Sequence, residues 1–348
     1  MRIHLRSRNL VKIDRHGDGP TLSIHRTFQR NVLHRLDKDI SKRREIFGRA
    51  VTLVRRIFPA QSPIGVPVND KWNVYGRYLP HVISLHTVFL QSKPRMESSK
   101  EFADLLADAG YYMWDRSLCK EGIAVLETAD TICTNLESER KGILRANILV
   151  ALGSLLNDIG ISDRARAVSM FKEILDIRLE HFAELDPPSI TMSDQLLLSN
   201  AWNDMGWMCM ERGAYDEAEA HFDESLRLKS NWGKEKIPFE YAETTKNLGY
   251  VRLSQGRSED AVNLVAHATK LAESAPDMGP ESAATQTFRF AQSWVLFNAG
   301  ESDKALELML KTTKARIILF GDLDTHTLDC FYAVGVMYQH QGKLEEAE

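Results

Sequence analysis

Three small residues recur in this chain at a fixed spacing. A glycine is followed seven residues later by a second glycine, and five residues after that by an alanine. The sets are Gly206, Gly213, Ala218, then Gly249, Gly256, Ala261, then Gly335, Gly342, Ala347. The second glycines fall at Gly160, Gly213, Gly256, Gly300 and Gly342, at intervals of 53, 43, 44 and 42 residues. Self-similarity at this period constrains the fold more than any other feature, because it belongs to solenoids in which each unit buries its apolar face against its neighbours.

Each unit reads as two helices around a glycine turn. In Asn200–Met210 the apolar residues recur at helical spacing, and Gly213 frees the backbone to end that helix. The second helix presents Ala218 where two helices approach closely, and Phe222, one turn on, fills the space between units. Gly206 lets the partner helix pack against bare backbone. Units are centred on Gly153, Gly206, Gly249, Ser293 and Gly335, with a weaker one at Gly110 that carries Leu126 and Ala129. In the unit of Gly153, Ala165 and Ala167 both compete for the close-contact position, and Phe171 suits the second choice. The unit of Ser293 lacks the first glycine but keeps Gly300 and Ala305.

Trp202, Met205, Gly206, Tyr215, Ala218 and Phe222, followed by Leu248, Gly249 and Ala261, resemble the tetratricopeptide repeat. The spacing of about 42 residues resembles the longer variant of kinesin light chains. The run Phe320–Leu328 is similar to the "LG-x-x-HP-x-T-L" segment between repeats of that group, without its proline. The resemblance implies an all-α fold, a right-handed superhelix of helical hairpins, over residues 96–348. An irregular helical bundle is the competing fold.

No apolar run approaches the roughly 20 residues that span a bilayer, and Met1–Arg8 has no apolar signal-peptide core. A cytoplasmic chain is the expectation. Cys119, Cys133, Cys209 and Cys330 have neither metal-site nor paired spacing and sit in apolar helical patterns, so they read as reduced, buried thiols. The net charge of −4 hides an asymmetry: residues 1–60 hold 15 Lys/Arg against 5 Asp/Glu. Such a segment either meets nucleic acid or docks on something acidic.

Leu10–Asp14 alternates like a strand, His16–Pro20 is turn chemistry, and Thr21–His25 reads as the return strand. A helix follows to Leu36. The run Leu22–Gln29, Leu-Ser-Ile-His-Arg-Thr-Phe-Gln, is similar to "L-S-I-H-R-L-V-Q" of fungal NB-ARC/TPR proteins, which are NLR-like signalling ATPases. It also looks like the Met-His-Asp motif of plant NB-ARC proteins. That resemblance implies a winged-helix remnant over 1–36 and a nucleotide-facing role for His25 in a complete protein. A structural histidine at a strand end is the plain alternative. No G-x-x-x-x-G-K-[ST] occurs, so no P-loop cradles phosphates in this chain.

Residues 37–95 read as a helical connector stacked on the first repeat. Ile40, Phe47, Val51, Val54 and Phe58 mark a buried stripe, and Arg43, Arg44, Arg49, Arg55 and Arg56 lie mostly off it. A helix from Trp72 through Ile83 carries Pro80.

The chain shows no catalytic signature and implies no cofactor or metal. Scattered histidines, exposed acid pairs such as Asp216-Glu217, and the absence of H-E-x-x-H and G-x-S-x-G leave binding as the function. Stacked first helices line a concave groove suited to extended peptides. Asn157, Asn203, Lys246, Asn247 and Asn298 offer hydrogen bonds to a ligand backbone, and Trp207, Tyr250, Trp294 and Tyr332 either anchor a ligand or pack between first helices. Only Lys246 and Asn247 suit a chaperone-type carboxylate clamp, so none is expected.

The function read from the sequence is a protein–protein interaction scaffold or sensor within an NB-ARC/TPR signalling protein. The alternatives are a free-standing adaptor resembling kinesin light chain, or a DNA-binding regulator using the basic N-terminal segment. The last unit stops at Glu348, short of its Phe222 equivalent. The sequence therefore predicts fraying there or a fragment open at both ends, with self-association through the open repeat.

Overall fold

The computed structural model describes residues 11–14, 21–61, 71–94, 96–136, 138, 142–275 and 278–347. Strands β1 (Val11–Asp14) and β2 (Thr21–Ile24) pair antiparallel, with Val11 opposite Ile24 and Asp14 opposite Thr21. The turn read at His16–Pro20 lies outside the described residues. Helix α1 (Arg26–Leu36) follows, and the His25 side chain accepts a hydrogen bond from the Thr27 backbone N–H at its start.

Helix α2 (Ile40–Arg55), capped by Asp39, and helix α3 (Trp72–Gln91) lie against helix α4 (Lys100–Asp115). Phe47 stacks on Phe89 and meets the edge of Phe102, while Phe58 meets the edge of Tyr75. The predicted stripe holds except at Ile40, which is exposed. It opens the helix, about two turns before the first buried residue, Phe47. The basic face of α2 is partly docked on acids: Arg44 pairs with Glu97 at 2.7 Å, Arg55 pairs with Asp108 and faces Asp104 at 3.7 Å, and Thr52 donates to Glu101.

Six helical hairpins succeed one another. They are α4 with α5 (Cys119–Asn135), α6 (Ile143–Ile159) with α7 (Ile161–Glu184), and α8 (Met192–Glu211) with α9 (Tyr215–Ser230). The rest are α10 (Pro238–Ser254) with α11 (Ser258–Ser274), α12 (Ala283–Asn298) with α13 (Ser302–Phe320), and α14 (Thr325–His340) with the short α15 (Leu344–Ala347). Each helix packs on the next, and first helices of adjacent hairpins touch as well. This is the predicted all-α fold of successive helical hairpins.

The small residues do what their spacing implied. A Cβ on Gly206 would lie 2.7 Å from the Phe222 ring, so only glycine allows α8 and α9 their separation. In the second hairpin the structure takes Ala167, fully buried, and leaves Ala165 exposed. Ser293 replaces the glycine of the fifth unit and turns its hydroxyl back onto the Arg289 carbonyl at 2.9 Å. Cys133, Cys209 and Cys330 are buried free thiols, while Cys119 is only half-buried at the first residue of α5. Leu344 and Tyr332 are exposed on the last hairpin. Among the described residues no helix is long and apolar enough to cross a membrane.

The superhelix returns on itself. Arg116, at the α4–α5 turn, forms a 2.9 Å ion pair with Asp324, the N-cap of α14, and the Ser117 hydroxyl lies 3.3 Å from that of Thr325. Trp72 completes this clasp: its ring packs at 5.5 Å from Phe320 and 6.4 Å from His326, and the Arg116 guanidinium covers it at 4.5 Å. Elements some 200 residues apart in sequence thus close over the concave side.

Candidate binding site

The concave face is built from one stripe of the first helices. Asn157, Asn203, Trp207, Lys246 and Asn247 line one depression of about 220 Å³, together with Trp114, Asp158 and Asp204. Asn203 Oδ1 accepts from Asn247 Nδ2 and from the Thr244 hydroxyl, each at 3.1 Å. Thr244 in turn accepts from Lys229 Nζ at 2.7 Å, and Lys229 also donates to the Glu240 carbonyl. A buried lysine must be held by such acceptors. Even so, burial lowers its pKa to about 8. This network fixes the two asparagines from behind. Asn157 and Trp207 both donate to Glu211, at 3.0 and 3.1 Å, and Lys246 pairs with Glu243 at 2.6 Å.

The remaining residues named from the sequence do not join that depression. Tyr250 packs edge-on against Trp207 at 6.1 Å, and Trp294 sits between Phe290 and Phe297. Asn298 donates to the Trp294 carbonyl within its own helix, and Tyr332 is exposed further along the array. His25 is exposed and caps α1, far in sequence from the stripe.

A second cavity of about 370 Å³ lies under the clasp and shares Trp114, Asn203, Asp204 and Glu243 with the first. Its charged lining is Asp115, Asp204, Glu240 and Glu243 against Arg178, with His326 at the clasp. Asp204 keeps a little accessible surface where it lines the cavity. The protein around it nevertheless raises its carboxyl to about 7, although Asn203 and Lys229 pull the other way. Burial likewise lifts Asp115 to about 6 and lowers Arg178 to about 10. Arg178 donates to Asn147, and its Nη1 has no partner among the described residues. Among the described residues, no cluster of three His, Cys, Asp or Glu side chains is placed to hold a metal ion.

Sequence reasoning missed Tyr111, Asn147, Arg178, Asn200, Asp204 and Glu243. A signal existed for half of them. Asn147, Asn200 and Glu243 each stand six residues before the close-contact glycines Gly153, Gly206 and Gly249. That places them on the face of Asn203 and Lys246, one turn earlier. Tyr111 follows Gly110 as Trp207 follows Gly206, but the weaker first unit hid the equivalence. Arg178 comes from a second helix, and no spacing within the first-helix stripe could reveal it.

A family model described as "Tetratricopeptide repeat" matches residues 197–274, the α8–α11 hairpins. No curated protein matches the sequence. Among solved structures, the apo form of RapI is similar at 17% identity and a TM-score of 0.55, covering 80% of this chain and 93% of that one. A tetratricopeptide repeat protein from Parabacteroides merdae is similar at 12% identity and a TM-score of 0.50, covering 80% and 87%. A putative kinesin light chain from Podosopora anserina is similar at 12% identity and a TM-score of 0.43, covering 61% and 93%. The fold of this chain is therefore a tetratricopeptide-type superhelix of helical hairpins, preceded by a short β-hairpin and connecting helices.

Proposed function

We propose that this chain is a protein–protein interaction scaffold that holds a peptide or an extended segment of a partner protein on its concave face. One observation carries the reading: Asn157, Asn203, Trp207, Lys246 and Asn247, drawn from three successive first helices, meet in one depression. Side-chain amides there can bond a ligand's backbone whatever its sequence, and Trp207 offers a half-buried apolar face. The test is affinity capture, with partners identified by mass spectrometry, comparing wild type with Asn203→Ala/Asn247→Ala. Loss of specific partners at unchanged folding supports the groove, and identical partner sets refute it.

The wider setting we propose is the sensor or scaffold part of an NB-ARC/TPR signalling protein. The run Leu22–Gln29, carried by β2 and the start of α1, supports that setting. There His25 would report on the nucleotide, whereas here its ring caps a helix. A genomic reading frame continuing upstream into a P-loop supports this setting. A true start at Met1 favours the adaptor reading instead.

A further inference from the structure

The cavity beneath the clasp adjoins the depression and shares Trp114, Asn203, Asp204 and Glu243 with it. Its volume of about 370 Å³ is at the small end for a ligand pocket, room for one or two side chains rather than a whole peptide. Four carboxylates line it against one guanidinium. Glu243 pairs with Lys246. Trp72 and Arg116 act on Asp115, and Asn203, Lys229 and Arg178 act on Asp204, yet burial outweighs them at both carboxyls. A carboxylate withdrawn from water is costly, and a ligand that brings a cation relieves that cost.

The walls already attract cations. Arg116 lies over Trp72 at 4.5 Å and Lys246 over Phe288 at 5.6 Å, and both aromatic rings line the cavity. A second, independent feature is Arg178. It is only 3% exposed, it lines the same cavity, and its Nη1 has no acceptor among the described residues. A buried donor without a partner calls for an oxygen from the ligand. Carboxylates that line one cavity with Arg178, a donor asking for an oxygen, match one basic residue of a peptide: its side-chain cation and its own carbonyl.

We infer that the chamber under the clasp is a specificity subsite that receives an arginine or lysine side chain of the bound peptide between Asp115 and Asp204, with Arg178 donating to the peptide carbonyl. The inference rests on the peptide-binding reading above and adds to it what is selected. The clasp roofs the subsite, since Trp72, Phe320 and His326 line both.

The experiment uses fluorescein-labelled degenerate octapeptide pools, each with one fixed central residue: arginine, lysine, citrulline, leucine or glutamate. Binding to the full chain is read by fluorescence anisotropy. The arginine or lysine pool is expected to bind at least tenfold tighter than the citrulline and glutamate pools, and the comparison of the two basic pools shows which cation fits. Asp204→Asn and Asp115→Asn are expected to erase that preference, bringing the basic pools down to the affinity of the citrulline pool. Both replacements are nearly isosteric, and circular dichroism confirms that they fold. If every pool binds alike and Asn203→Ala/Asn247→Ala weakens them all, the subsite falls and the groove stands. A preference for glutamate overturns the subsite outright. Wild type that binds no pool overturns the groove reading and the subsite with it.

Discussion

At the scale of single residues, one hydrogen atom decides how α8 meets α9. Gly206→Ala would push a methyl group to 2.7 Å from the Phe222 ring, and that ring is fully buried with nowhere to move. Urea denaturation should show a loss of about 1–3 kcal/mol. Gly48, exposed in α2 with nothing within 4 Å of a built Cβ, is the opposite case. Gly48→Ala should gain about 0.5–1 kcal/mol from helix propensity alone. Asp204 makes a pH-dependent prediction. Its carboxyl, ordinarily near 3.8, stands at about 7 in the fold, so the folded chain keeps a proton that the unfolded chain releases. Its contribution is therefore full below about pH 4 and is lost as pH rises through 7. Asp204→Asn should flatten that decline. It should leave stability at pH 4 nearly unchanged and raise it at pH 8 by about 1–3 kcal/mol, measured by denaturation at both pH values.

At the scale of elements, the sequence was legible wherever local chemistry sets the outcome. Helix α8 starts at a capping box in which Thr191 and Asp194 bond each other's backbone N–H groups. Thr191→Ala should cost about 1 kcal/mol, read as a lower thermal midpoint for the chain. The hairpin turns were equally readable: Gly213, Gly256, Gly300 and Gly342 all take positive φ, between 72° and 89°. The first hairpin breaks this rule. Ser117, seven residues after Gly110, stands at the turn-glycine position and still adopts a φ of 54°. A side chain there is strained by roughly 1 kcal/mol, and it belongs to the turn that touches α14 through Thr325. Spacing marks Ser117 as the turn position but could not show that its hydroxyl meets Thr325, 208 positions away.

For the whole molecule, the distinctive feature is closure. Replacing Arg116 by Ala removes both the ion pair with Asp324 and the cation over Trp72. Small-angle scattering should then report a larger radius of gyration, and a double-mutant cycle with Asp324→Asn should give a coupling of about 1 kcal/mol. Lys304→Ala, which loses only an exposed pair with Glu301, should leave the dimensions unchanged.

The sequence by itself determined the repeat, its period, the helix ends and five residues of the depression, because a helix of 3.6 residues per turn fixes which positions share a face. It did not determine how far the array curves. Curvature accumulates from small rotations at each interface between neighbouring hairpins. Only the assembled fold decides that the sum brings Arg116 to Asp324, and with that contact creates the acidic chamber. Asp115 and Arg178 each looked unremarkable in their own helices, and their roles follow from the packing of nine helices around one cavity.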